Sequence, residues 1–347
     1  MLKRVLVFGA NGFIGQHLVR RILTHTNWRV IATDLNDRRV REHRGHPRFE
    51  FHRGDVKHRS FAEGLVRRSD VVFPLAGIAT PRSYIDEPIR VFELDFEDNL
   101  AIVRQCVKHG KRLIWPSTSE VYGMSSDAHF HPETSNLVMG PINKMRWIYA
   151  AGKQLMDRIV WAYGRDQALD FTIFRPFNWI GHGQDNIHDR SGKSRVITKF
   201  AGNILRGEHL KLVDGGSNRR SFTYIDDCTD ALVRMVKNPR RVASGKIYNI
   251  GNPHNNHSVR EVAEMMLELA SGYPFFRDHA SRVRIVSVTS RKHYGEGYQD
   301  MMNRTPYIDN TVRELGWKPT ITLRQAIAQT FAAYVDQLTK ERRSITK

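Results

Sequence analysis

The opening of the chain restricts its fold more than any other stretch. KRVLVFGANGFIGQHLVRRILTH sets a short apolar run, Val5 to Phe8, before glycines at 9, 12 and 15. Apolar residues then recur at helical spacing: Phe13, Ile14, Leu18 and Ile22. This order predicts a strand, a tight turn and a helix. Glycines let the backbone turn sharply and approach a bound group closely, and the helix start offers unpaired N–H groups with a partial positive charge. A diphosphate suits such a turn. Glycines also serve as ordinary turn punctuation, so the motif takes its weight from the residues downstream.

Further apolar runs recur at regular intervals. WRVIAT ends at Asp34, FEFHRGDV predicts a third strand ending at Asp55 and Val56, and DVVFPLAGIATP predicts a fourth. KRLIWPSTSEVYG and FTIFRPFNWIG supply a fifth and a sixth. Strands alternating with helical segments specify an α/β fold, a Rossmann-type doubly wound parallel sheet carrying a smaller α/β substrate-binding lobe. In such a sheet Gly9, Asn11, Gly12, Phe13, Ile14 and Gly15 would cradle a dinucleotide. Asp34, about twenty residues beyond the glycines, would accept hydrogen bonds from the adenosine ribose, which favours NAD over NADP. Asp34 can also be read as a helix cap or loop charge. Asp55 and Val56 would edge the adenine.

Tyr149 and Lys153, in WIYAAGKQ, are four residues apart and share one helix face. A lysine ammonium near a phenol lowers its pKa, so the pair predicts a phenol that accepts a proton near neutral pH.

The formal net charge of +18 raises the question of nucleic acid. The charges are dispersed, and the stretch from Asp37 to Arg44 and the pair Arg240 and Arg241 read as solvated helix ends or loops. A basic surface attracting an anionic small molecule is the expectation, with no nucleic-acid partner. Two cysteines, Cys106 and Cys228, lack metal or redox spacing, and sixteen scattered histidines form no ligand motif. No metal is expected, and the compartment is expected to be cytoplasmic. No apolar run approaches the ~20 residues of a membrane span, and the first ends too early for a secretory signal.

The GxxGxxG spacing with the YxxxK pair resembles the extended short-chain dehydrogenase/reductase superfamily of NAD-dependent epimerases and dehydratases. RPFN at Arg175, RRSFTYIDD at Arg219 and KIYNIGNP at Lys246 resemble its nucleotide-sugar members. Longer strings, PSTSEVYGM, NKMRWIYAAGKQLMDR, RPFNWIG, KLVDGG and YGEGYQDMMNRTP, closely resemble the UDP-glucuronic acid decarboxylase domains of bifunctional polymyxin-resistance proteins, nearly end to end. On that resemblance a preceding formyltransferase domain is expected to be absent. One departure is Gly152, where those domains carry serine.

The resemblance implies oxidation of UDP-glucuronic acid at C4 by NAD, then loss of the C6 carboxylate to give a UDP-4-keto-pentose. It implies Tyr149 as base, Lys153 as its partner, Thr118 and Ser119 as hydroxyl donors, Glu120 as proton acceptor and Arg304 as proton donor. A guanidinium is a poor acid, so Arg304 could instead orient the carboxylate or a water. Ala79, Tyr84, Thr118, Ser119, Arg146, Asn178, the segment from Lys211 to Arg220, and Tyr298 would surround the substrate, with Arg146, Lys211 and Arg220 facing its diphosphate. Plant UDP-apiose/UDP-xylose synthases share some strings but carry cysteines where this chain has Ser119 and Ala151, which disfavours apiose formation. A UDP-xylose synthase that returns the hydride stays open, as does another epimerase or dehydratase. A non-catalytic NAD(H)-binding or RNA-binding protein would not need the intact tyrosine and lysine. The expected domains are 1–177 with about 222–251 for NAD, and 178–221 with 252–347 for the nucleotide sugar. Amphipathic helices around Ile89 to Lys108 and Lys144 to Tyr163 are the elements superfamily members pair into a homodimer.

Overall fold

The run Val5 to Phe8 is apolar at every position because both faces of its strand are covered. In the computed structural model, which describes residues 2–294, 299–301 and 303–345, β1 (Arg4–Phe8) turns Val5 and Val7 into one core and Leu6 and Phe8 into another. Six more strands join it: β2 (Arg29–Asp34), β3 (Phe49–Arg53), β4 (Val71–Pro74), β5 (Arg112–Pro116), β6 (Phe171–Pro176) and β7 (Lys246–Ile250). Their order is β7-β6-β5-β4-β1-β2-β3, and every pair is parallel. The order reverses between β1 and β4, and in open α/β sheets ligands bind at that crevice.

Helices cover both faces. Phe13–His25 and Ile225–Lys237 contribute Leu18, Ile22, Leu232 and Val236 to the core on one side. Arg59–Arg68, Asn99–Lys108 and Trp147–Asp166 contribute Leu65, Val103, Met156 and Val160 to the other. The first core continues without a break into Phe200, Leu212, Met266, Trp317 and Phe331, so the sheet and the later segments share one interior.

Several predicted elements end sooner than the apolar runs suggest. β3 stops at Arg53, and Asp55 instead accepts the Lys57 amide at 3.0 Å in the next turn. The sixth run is divided: β6 ends at Pro176, Asn178 adopts φ +40°, and Trp179–Ile180 forms a separate short strand beside Thr223–Tyr224. Asparagine tolerates the left-handed region better than most residues, and that conformation breaks the extended run. The tyrosine-bearing helix starts at Trp147 rather than Lys144, after turns closed by the Lys144 and Trp147 amides. The segment from Pro88 to Lys108 is helical but contains a π-helical turn over Glu93–Asp98. Among the described residues no helix is long and apolar enough to cross a membrane.

Beneath the sheet's carboxyl ends lies a buried ion pair. The Arg175 guanidinium donates to Asp157 Oδ2 from Nε at 3.2 Å and from a terminal nitrogen at 3.0 Å, and to the Tyr122 hydroxyl at 3.0 Å. Asp157 also accepts the Trp115 indole N–H at 3.0 Å and the Ser117 hydroxyl at 2.8 Å. Removing one partner strands the other in a low-dielectric interior. Asp157→Ala should lower stability by about 3–5 kcal/mol, read as a fall in the urea midpoint, and Asp157→Asn should lose less because its amide oxygen still accepts hydrogen bonds.

Candidate active site

The turn after β1 is built around close backbone contact. A Cβ on Gly9, which holds φ +72°, would sit 2.7 Å from the Ala76 nitrogen, and one on Gly15 would sit 2.2 Å from the Gly9 carbonyl oxygen. Any side chain at either position would push the turn off β4 or off its own helix. The Asn11 amide donates to Asp34 Oδ2 at 2.9 Å and the Leu35 amide to Oδ1 at 2.7 Å, which fixes the Asp34 carboxylate at the end of β2. Burial pushes this carboxyl above its usual range, opposed by those amides. The glycine turn opens into a cleft of about 1750 Å³. Sites for one small ligand are roughly 300–1,000 Å³, so there is room for a dinucleotide beside a second ligand. The narrow turn, the helix start at Phe13 and the acid at the end of β2 together fit NAD.

Deeper in the cleft, the Trp147–Asp166 helix turns Tyr149 and Lys153 inward from one buried face. The Tyr149 ring stacks on Tyr84, with centroids 4.5 Å apart and planes within 6°. Lys153 Nζ donates to the Pro116 carbonyl at 3.1 Å and lies 3.4 Å from Asp95 Oδ1. It stands 5.9 Å from the Tyr149 ring centre. The predicted lowering of the phenol pKa is therefore not produced by the protein's own groups. Burial, then the Asp95 and Glu120 carboxylates, push the phenol well above its ordinary value, against the Thr118 hydroxyl and the Arg195 charge, which favour the ionised form. Asp95 was not legible as a site residue. It falls within the π-helical turn, where its Oδ2 accepts the Ile78 amide at 2.8 Å, and such turns often occur at functional sites. Its only signal is an acid four residues after buried Val91 and four before buried Asn99.

β5 ends at Pro116, and the tight turn Ser119–Tyr122 presents Thr118, Ser119 and Glu120, all buried. The Glu120 carboxylate is gripped from both sides: a terminal nitrogen of Arg146 donates to Oε2 at 2.5 Å, and Arg304 donates to Oε1. Burial opposes ionisation, yet Arg146 and Arg304 hold this carboxyl below its usual range. Arg146 also donates to the Gln299 carbonyl at 2.7 Å and lies 3.4 Å from Asp300 Oδ1. Arg220 donates to the same Asp300 oxygen at 2.7 Å, and Asn218 to the other at 2.8 Å. Although burial acts in the opposite direction, Arg220, Arg146 and Arg304 hold the Asp300 carboxyl at about 2. Arg146 is thus engaged by Glu120 and Asp300, and Arg220 by Asp300, at one end of the cleft. Asp300 went unnoticed because it lies in a polar string with no periodicity.

Ala79, Tyr84, Thr118, Ser119, Glu120, Arg146, Tyr149, Lys153, Asn178, Lys211, Arg220 and Arg304 all line the cleft, as do the residues of the glycine turn. The Asn178 side-chain nitrogen is buried without a hydrogen-bond partner among the described residues, a donor available to a ligand. Asp34, Asp55 and Val56 lie beyond the lining; Val56 packs into the core with Ala62 and Leu65. Tyr298 falls outside the described residues. A Cβ at Gly152 would meet nothing nearer than Phe96 at 3.9 Å, so a serine there could be accommodated. The stretch from Asp37 to Arg44, predicted to be solvated, is partly structural: Asp37 is buried and pairs with Arg44 at 2.6 Å, and Arg39 lines the cleft.

The nearly complete chain superimposes on the crystal structure of PbgP3 protein from Burkholderia pseudomallei. Identity is 51%, coverage is 99% of each chain and the TM-score is 0.90. The fold is shared with UDP-glucose 4-epimerase from Thermotoga maritima in a structure with UDP-glucose, at 22% identity over 96% of this chain and 99% of that one, TM-score 0.80. It is shared too with UDP-glucuronic acid 4-epimerase from Bacillus cereus in complex with UDP-glucuronic acid and NAD, at 22% identity over 96% and 99%, TM-score 0.78. The family model for the NAD dependent epimerase/dehydratase family matches residues 5–251, a span that runs from β1 through β7, and the chain belongs to that family.

Proposed function

We propose that the chain oxidatively decarboxylates UDP-glucuronic acid to a UDP-4-keto-pentose. The observation that carries this reading is the Glu120 carboxylate held between Arg146 and Arg304 in the same cleft as Tyr149, Thr118 and Ser119. Among the described residues three guanidiniums, Arg146, Arg220 and Arg304, face two carboxylates, Glu120 and Asp300, and the excess positive charge suits a uronic acid, whose carboxylate must be received and then expelled, better than a neutral sugar. The long sequence strings around Glu120, Tyr149 and Arg304 support the same reading, and a protein of the same fold holds UDP-glucuronic acid with NAD.

Tyr149 accepts the proton of the sugar 4-hydroxyl, and Lys153 stabilises the arrangement from the Asp95 side. NAD, when bound, supplies the acceptor for the C4 hydride. The resulting C4 ketone stands β to the C6 carboxylate, so the C5–C6 bond breaks, carbon dioxide leaves and the electron pair delocalises onto the C4 oxygen. Thr118, Ser119 and the now protonated Tyr149 donate hydrogen bonds to that oxygen. C5 then takes up a proton from a water oriented at the end of the cleft where Glu120 and Arg304 meet, and the proton that Tyr149 took from the sugar returns to solvent, so the proton count closes. A guanidinium of pKa above ~12 is a poor acid, and Arg304 serves by fixing Glu120 and orienting the substrate carboxylate. The dinucleotide is assigned to residues 1–177 with 222–251, which include all seven strands of the sheet, and the nucleotide sugar to 178–221 with 252–347.

A homodimer accompanies this reading. Ile89, Phe92, Leu155 and Trp161 leave large apolar side chains exposed on the Pro88–Lys108 and Trp147–Asp166 segments, where a second copy would cover them. Sedimentation of the purified chain should give twice the monomer mass; a monomer at micromolar concentration would contradict the pairing.

Mixing the protein with NAD and UDP-glucuronic acid should raise absorbance at ~340 nm in proportion to UDP-4-keto-pentose formed. Tyr149→Phe should lower this rate by about 10²-fold or more. UDP-xylose with little NADH would mean that the hydride is returned, and undiminished turnover by the phenylalanine variant would remove Tyr149 from its role.

A further inference from the structure

Arg39 links two segments that line the cleft. It lies beyond β2 in a loop tied to the glycine turn: its amide donates to Asn11 Oδ1 at 2.7 Å, and Asn11 Nδ2 donates to Asn36 Oδ1 at 2.9 Å. A terminal nitrogen of its guanidinium donates to the Gly183 carbonyl at 2.5 Å. Gln16, on the first turn of the Phe13–His25 helix, donates to the same carbonyl at 3.2 Å. Gly183 holds φ +69°, and a Cβ there would fall 2.8 Å from the Gln16 side-chain nitrogen, so that segment approaches the helix start as closely as a glycine allows. Nearby, Arg195 lies 5.6 Å over the Phe13 ring and is held by Asp185 at 2.8 Å and the Gln184 carbonyl at 2.6 Å. Asn11, Phe13, Gln16, Arg39, Gly183 and Arg195 all line the cleft.

We propose that Arg39 is a cofactor-retaining residue, a cationic strap that closes over the diphosphate of the bound dinucleotide between the glycine turn and the Gly183 carbonyl. Two features of the geometry combine here. The hydrogen bond to Gly183 joins the loop after β2 to the segment after the short Trp179–Ile180 strand beside the glycine turn, and the guanidinium adds positive charge beside helix-start amides already suited to an anion. A dinucleotide seated on the turn leaves only when the strap opens. On the proposed function, in which reduced cofactor leaves after each turnover, this would place its release under the control of one side chain. The inference rests on the NAD site of the family, and it holds whichever nucleotide sugar is the substrate.

The test is stopped-flow displacement of NADH by excess NAD, followed by NADH fluorescence, with no sugar present. Arg39→Met should raise the NADH dissociation rate about tenfold, as loss of a hydrogen bond to a charged group implies. Gln16→Ala should raise it in the same direction by a smaller factor, and UDP affinity should stay unchanged in both, showing an intact sugar end. An NADH dissociation rate in Arg39→Met within about twofold of the unaltered protein would overturn the proposal, and so would an equal loss of UDP affinity. Failure to turn over UDP-glucuronic acid would refute the decarboxylase reading while leaving this measurement decisive.

Discussion

A carboxylate removed from water needs counter-charge and hydrogen bonds, or it protonates or drags the structure apart. Glu120 meets that requirement with two guanidiniums from distant parts of the chain, Arg146 just before the tyrosine-bearing helix and Arg304 near the end of the fold. Asp300 extends the arrangement by holding Arg146 and Arg220 together, and with them the segment around Asn218. The end of the cleft around Glu120 is therefore defined less by the sheet than by this cluster. Four segments far apart in sequence meet there, and each buried charge is compensated by a partner from another segment.

The same low-dielectric environment explains why Tyr149 is not pre-ionised. Its ring is buried against Tyr84, and the nearest carboxylates, Asp95 and Glu120, oppose a phenolate. Lys153 is drawn toward Asp95 and the Pro116 carbonyl. On the proposed reading, proton acceptance by Tyr149 depends on the cofactor and sugar that bind beside it.

Much of this was legible from the residues alone. The apolar run before the glycines, the recurring strand signals and the buried spacing of Tyr149 and Lys153 follow from local periodicity, and the sheet formed as periodicity requires. Glu120 and Arg304 were found only through longer strings, since nothing in the spacing of a lone acid and a lone arginine brings them together. What escaped reading was set by tertiary context. The π-helical turn that aims Asp95 at Lys153 adds one residue to a helix without any compositional mark. Asn178 divides an apolar run that would otherwise continue as strand. Arg39 sits in a charged stretch that reads as solvated, and its reach to Gly183 exists only once the loop after the short Trp179–Ile180 strand folds back over the glycine turn. The expected effect of the lysine on the phenol failed for a related reason: four-residue spacing places two side chains on one face but does not decide which neighbour the ammonium prefers.

The decarboxylase reading stands or falls on whether the substrate loses its C6 carbon after oxidation at C4. Supplying UDP-glucuronic acid labelled with carbon-13 at C6 together with NAD, and following the label by NMR, decides it. The label is expected to leave as carbon dioxide and bicarbonate in step with formation of a five-carbon UDP sugar. Label retained at C6 of a six-carbon product, whether epimerised or dehydrated, would contradict that reading.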